Sequence, residues 1–109
     1  MATNYVQAGD TLTIPAGADY LSGDVVIENE IIGVALGDAV TGNPVDVRTT
    51  GVFDVPKVGA NAFAVGDPVY FDSDTSLATS TATDNTKIGV AVAAAAASTA
   101  TVNVRLSGF

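Results

Sequence analysis

Residues 31–36, IIGVAL, predict the fold, because three of the six are β-branched and favour an extended backbone. The same character continues on both sides, with residues 25–27 (VVI) before them and the alternating residues 45–48 (VDVR) after a Gly-Asn-Pro turn signal. Further short runs of this kind lie at residues 11–14, 52–55, 68–71, 87–92 and 100–106. No segment shows sustained helical periodicity, so the sequence predicts an all-β barrel or sandwich.

Three blocks of the sequence recur in the same order. Residues 9–14 (GDTLTI) resemble residues 66–71 (GDPVYF), residues 32–35 are identical to residues 88–91, and residues 45–51 resemble residues 102–108. A short repeat of strands cannot bury its apolar face alone. We therefore predict a single β domain over residues 1–109. It consists of two half-units, residues 6–55 and 63–109, that close on each other with pseudo-twofold symmetry, and of an extended N-terminal arm, residues 1–8.

Arg48 and Arg105 occupy equivalent places in this repeat and carry half of the basic charge of the chain. Each follows a Val-x-Val strand, and each half-unit begins with a Gly-Asp turn. We predict structural ion pairs between these arginines and the turn carboxylates of Asp10 and Asp67. The alanine run at residues 93–97 is too short to nucleate a helix by itself. It is interpreted as a hairpin tip or one short helical turn.

The composition excludes many classes of activity. The 109 residues include no Cys and no His, which removes thiol nucleophiles, imidazole bases and the usual zinc ligands. Twelve acidic residues against four basic ones repel a phosphate backbone. The longest apolar stretch, residues 88–97, is shorter than the ~20 residues of a membrane span. We expect no catalytic, cofactor-binding or metal-binding residues, and neither a nucleic acid nor a membrane as partner.

Two acidic motifs leave narrower alternatives. Glu28 and Glu30 would share one face of a strand and could serve as the carboxylate pair of a small carbohydrate-active enzyme, which is a remote alternative. Residues 72–76 (DSDTS) resemble the start of a calcium-binding loop, but Leu77 and Thr83 stand where that loop requires Gly and Glu. These residues are better interpreted as a polar loop whose side chains cap its own turns.

The opening residues 1–18 (MATNYVQAGDTLTIPAGA), the segment 50–57 (TGVFDVPK) and the element 66–72 (GDPVYFD) resemble a family of small proteins of tailed bacteriophages. Members of this family are sometimes labelled as recombinases, a label that the absence of a Walker lysine here contradicts. The resemblance implies a decoration or cement protein that binds the major capsid protein on the outside of the head and stabilises it. It also implies synthesis in the cytoplasm of the bacterial host.

The resemblance further implies a homo-oligomer, with a trimer favoured, and a contact segment on the shell formed by Thr3, Asn4, Tyr5 and Val6. An alternative is a head-fibre or host-surface binding module, for which the Ser/Thr-rich residues 72–86 would provide a long exposed loop.

Overall fold

The computed structural model describes residues 3–4 and 9–106, and this part of the chain forms nine β-strands and no helix. The prediction of an all-β fold is therefore confirmed. The strands are β1 (Thr11–Pro15), β2 (Val25–Glu28), β3 (Ile31–Ala35), β4 (Pro44–Arg48), β5 (Val52–Pro56), β6 (Pro68–Asp72), β7 (Leu77–Thr79), β8 (Thr86–Ala91) and β9 (Thr101–Leu106).

The strands form two antiparallel sheets. The first sheet has the order β1-β4-β3-β2, and the second has the order β5-β9-β8-β6-β7. The chain passes from one sheet to the other between Arg48 and Val52, so β5 pairs in the second sheet. A tight hairpin joins β2 to β3, and it is closed by Asn29 at φ 56, a left-handed conformation that Asn tolerates well.

The two sheets repeat the same register at their centres. Ala35 lies opposite Val47 in the first sheet, and Ala91 lies opposite Val104 in the second. Gly33 and Gly89 occupy matching places, since a side chain at either would collide with the main-chain oxygen of the arginine on the neighbouring strand. The identical residues 32–35 and 88–91 thus have the same structural environment, in which only glycine allows this close approach of the strands.

The turns before β2 and β6 are also equivalent. Asp24 Oδ2 accepts the N–H of Leu21 at 2.9 Å, and Asp67 Oδ2 accepts the N–H of Ala64 at 2.8 Å. The structural counterpart of Gly66-Asp67 is therefore Gly23-Asp24 and not Gly9-Asp10, which the sequence comparison matched to it. A pseudo-twofold axis and the boundaries of the half-units stay predictions.

Within the described part of the chain, β7 has no counterpart in the first sheet, and it changes the shape of the second sheet. Ala78 forms a parallel bridge with Lys57, and its oxygen accepts the N–H of Val58 at 2.9 Å. This contact brings the two edges of the second sheet together, as in a small barrel. Residues 72–86 are consequently not one exposed loop, because Ala78 and Thr79 are buried.

Two apolar clusters form the core. The larger consists mainly of second-sheet residues, and Ile32 and Val34 of β3 join it. The smaller lies on the other face of the first sheet, where Val26, Ala35 and Val47 pack together. Because side chains alternate along a strand, β3 contributes to both clusters, and this links the two sheets.

The alanine run between β8 and β9 is not helical. Ala95 exchanges main-chain hydrogen bonds with Phe63 at 2.8 and 2.9 Å and is buried beside it. The run therefore covers an aromatic residue of the larger core. Its small side chains suit this close packing.

Candidate functional site

A cleft of about 370 Å³ lies between the two sheets and is lined by residues of both. Its apolar lining is formed by Val25 and Ile27 of β2, Val55 and Pro56 of β5, and Phe71 of β6. Its polar lining is formed by Asp19, Tyr20, Asp24, Ser73 and Ser76. None of these lining residues is basic, so the cleft combines apolar surface with negative charge.

Tyr20 is held at this cleft by a carboxylate. Its hydroxyl donates to Glu28 Oε2 at 2.7 Å, and its main chain exchanges hydrogen bonds with Ala39. Partial burial, and to a lesser extent the hydrogen bond to Glu28, raises the pKa of the Tyr20 phenol to about 12. The hydroxyl therefore stays protonated and acts as a donor at neutral pH.

The acidic side chains at the end of the first sheet hold loops in place. Asp19 accepts both the N–H and the hydroxyl of Thr41, and these hydrogen bonds lower the pKa of its carboxyl. Asp38 accepts the N–H of Ser22 at 2.8 Å, as Asp24 does for Leu21. Each of these carboxylates thus satisfies a loop amide at the surface.

The carboxylates of Glu28 and Glu30 do not share a strand face. Glu28 ends β2, whereas Glu30 is exposed in the turn, because Asn29 between them reverses the chain. Tyr20 already occupies one oxygen of Glu28. The arrangement on which the carbohydrate-active alternative depended is therefore wrong.

The acidic turn between β6 and β7 caps itself. Asp72 Oδ1 accepts the N–H of Asp74 at 2.9 Å, which confirms the interpretation of a polar loop. Ser76 in this turn has φ 57. Among residues 3–4 and 9–106, no three His, Cys, Asp or Glu side chains are grouped so that they could hold a metal ion.

The two arginines lie at equivalent exposed positions. Arg48 ends β4 and Arg105 lies in β9, each opposite a valine of the neighbouring strand. Arg48 Nε donates to the main-chain oxygen of Thr50 at 3.3 Å. The carboxylate of Asp67 accepts the main-chain N–H of Ala64. The ion pairs with Asp10 and Asp67 stay predictions.

The predicted contact segment falls partly outside the described residues. Thr3 and Asn4 are exposed in a turn, and Tyr5 and Val6 lie outside the described part of the chain. The point where the described chain resumes is anchored by Thr49, a residue that the sequence did not single out. Its buried hydroxyl donates to the Gly9 oxygen at 2.7 Å, and its N–H donates to the Asp10 oxygen at 2.8 Å.

Lys57 is a second residue that the sequence did not single out. It is only 4% exposed, and its Nζ donates to the main-chain oxygens of Val58, Gly59 and Asn61. The side-chain oxygen of Asn61 in turn accepts from Thr79 Oγ1 at 2.8 Å. These bonds fasten the end of β5 to β7, where the second sheet closes.

The fold and the surface together define a small all-β protein with an acidic, loop-rich exterior and no helix in the described residues that could cross a membrane. The chain belongs to the phage cement protein family, which matches residues 6–106. This family is structural, and its name indicates a capsid-stabilising role on the virion. No curated protein matches the chain.

Proposed function

We propose that the protein binds the outer surface of a tailed-phage head, on the major capsid protein, and stabilises the shell as an oligomer. The match of nearly the whole chain to the phage cement protein family carries this proposal. The net charge of −8 supports it, because a protein displayed in many copies must stay soluble. Newly made protein would accumulate in the host cytoplasm before it binds to heads.

The test uses purified heads that lack this protein. We expect the protein to co-sediment with them saturably and to raise the temperature at which they lose their DNA or disassemble. A protein that stays in the supernatant at all concentrations would overturn the proposal. The host-surface alternative is tested in parallel by adsorption of the purified protein to host cells.

The oligomeric state and the contact segment are separate parts of the proposal. Association would stabilise a domain of this size by mass action, and a trimer fits a threefold position on a shell. Native mass spectrometry of the free protein and of protein released from heads measures the state directly. Monomers in both samples would contradict oligomerisation.

Thr3, Asn4, Tyr5 and Val6 are proposed to contact the shell. Removal of residues 1–8 leaves the bonds between Thr49 and residues 9–10 in place, so the β domain should remain folded. We expect the truncated protein to lose most of its capsid affinity. Unchanged affinity would exclude this segment as the contact.

A further inference from the structure

In residues 3–4 and 9–106, no strand pairs with the outer edge of β2 in the first sheet, whereas β7 pairs with the equivalent edge of β6 in the second sheet. In the second sheet, β6 pairs with β8 on one side and with β7 on the other, where Tyr70 lies opposite Thr79 and Phe71 lies opposite Ala78. β2 is the counterpart of β6, and β3 is its only partner strand in residues 3–4 and 9–106. The described residues thus contain no strand of the first sheet that is equivalent to β7.

The main chain of β2 is arranged to accept such a strand. Asp24 accepts the N–H of Ala35, so its oxygen points toward β3. Because these groups alternate along an antiparallel pair, the N–H and C=O groups of Val25 and Ile27 point away from β3. They face the open edge, and unpaired groups at such an edge bind extended peptides readily.

The cleft between the sheets lies along this same edge. Val25 and Ile27 line it and are only half-buried, and its 370 Å³ can admit side chains of an added strand. Asp19 and Asp24 supply negative charge at its polar side, and no lining residue is basic. The site is therefore complementary to an extended segment with a lysine or arginine.

We infer that an extended, Lys- or Arg-bearing segment of the capsid partner adds to β2 as a fifth strand of the first sheet. This inference rests on the proposed capsid-binding function. A second copy of the chain does not offer such a segment, because Lys57 is buried and the other three basic residues lie in strands paired on both sides. Those residues are Arg48 in β4, Lys87 in β8 and Arg105 in β9.

Photocrosslinking on purified heads that lack the unaltered protein directly identifies the segment that pairs with β2. Ser73 lines the cleft, whereas Thr75 of the same turn does not, so each is replaced by p-benzoyl-phenylalanine in the full chain. We expect Ser73→p-benzoyl-phenylalanine to crosslink to a basic, extended segment of the capsid protein, as mapped by mass spectrometry. The Thr75 variant should give a much weaker adduct. Crosslinks to residues 1–8 of another copy, or no adduct from Ser73 despite co-sedimentation, would overturn the inference.

Affinity variants give an independent readout. The double variant Asp19→Asn/Asp24→Asn removes two negative charges from the cleft but keeps the oxygens that accept the loop hydrogen bonds. It should reduce both the affinity for heads and the dependence of that affinity on salt. Asp38→Asn, which changes a loop carboxylate that does not line the cleft, is the control. Normal binding by the double variant would exclude the cleft. Absence of binding by the unaltered protein would instead overturn the proposed function.

Discussion

The Nζ atom of Lys57 lies 2.6 Å from the main-chain oxygen of Asn61, inside a loop that closes the second sheet. Two further oxygens, from Val58 and Gly59, accept from the same ammonium group. A buried charge is tolerated when its hydrogen bonds are satisfied, and here the carbonyl dipoles satisfy it. The side chain thereby organises residues 58–61 against β7.

Lys57→Met should destabilise the protein by about 1–3 kcal/mol, because three main-chain carbonyl groups lose the donor that the buried Lys57 side chain supplies while the side-chain volume is kept. Urea unfolding followed by circular dichroism measures the free energy. Lys87→Met changes an exposed lysine on β8 and serves as the control. Equal stability of the two variants would contradict a structural role for Lys57.

Gly89→Ala should destabilise the protein by about 1–3 kcal/mol, because the new methyl group would collide with the Arg105 main-chain oxygen and force β8 and β9 apart. Gly37→Ala is the control, since its methyl group would meet open space. Thermal unfolding of both variants provides the comparison. A stable Gly89→Ala protein would show that the strands do not approach this closely.

Tyr20→Phe should remove the hydrogen bond to Glu28 and lower stability by about 1 kcal/mol at neutral pH. The pKa of Tyr20 is raised to about 12 in the folded protein from 10.0, so this contribution is full below pH 10 and is lost as the pH rises toward 12. The difference in unfolding free energy between Tyr20→Phe and the unaltered protein should shrink over that interval. Comparing the two proteins removes the effects of the other tyrosines.

Thr49→Val should cost about 1 kcal/mol, because the Gly9 oxygen loses the hydrogen bond from the buried Thr49 hydroxyl while the side-chain shape is kept. Hydrogen exchange at residues 9–11 should accelerate in this variant, since the first residues before β1 lose an anchor. Thr50→Val alters the neighbouring threonine and should leave this exchange unchanged. Faster exchange throughout the chain would indicate a general loss of stability instead.

Much of the architecture could be predicted from local patterns. The β-branched runs at residues 31–36 and 45–48 became β3 and β4, and the identical residues 32–35 and 88–91 occupy matching places. The pairing of strands could not be predicted as well. Gly-Asp occurs before β1, β2 and β6 and again at residues 37–38, and a dipeptide that starts many turns does not specify a distant partner strand.

The candidate site was the least predictable part. The sequence suggested that Glu28 and Glu30 form a carboxylate pair. In the structure Glu28 accepts from Tyr20 instead, and the reversal of the backbone at Asn29 separates it from Glu30. The cleft beside β2 joins residues from the loops, β2, β5, β6 and the turn after β6. Residues so far apart in sequence share no local pattern.

The sequence by itself determined the β class, the acidic exterior, the absence of imidazole and thiol chemistry, and the family. These properties depend on composition and on the alternation of neighbouring residues, which a linear chain displays directly. Only the tertiary structure decided that β6 corresponds to β2, that β7 closes one sheet while no described strand pairs with the outer edge of β2, and that Lys57 is buried. Those outcomes depend on which distant segments meet. Strand pairing and burial are decided by the groups that the folded chain brings together, and neighbouring residues in the sequence do not specify them.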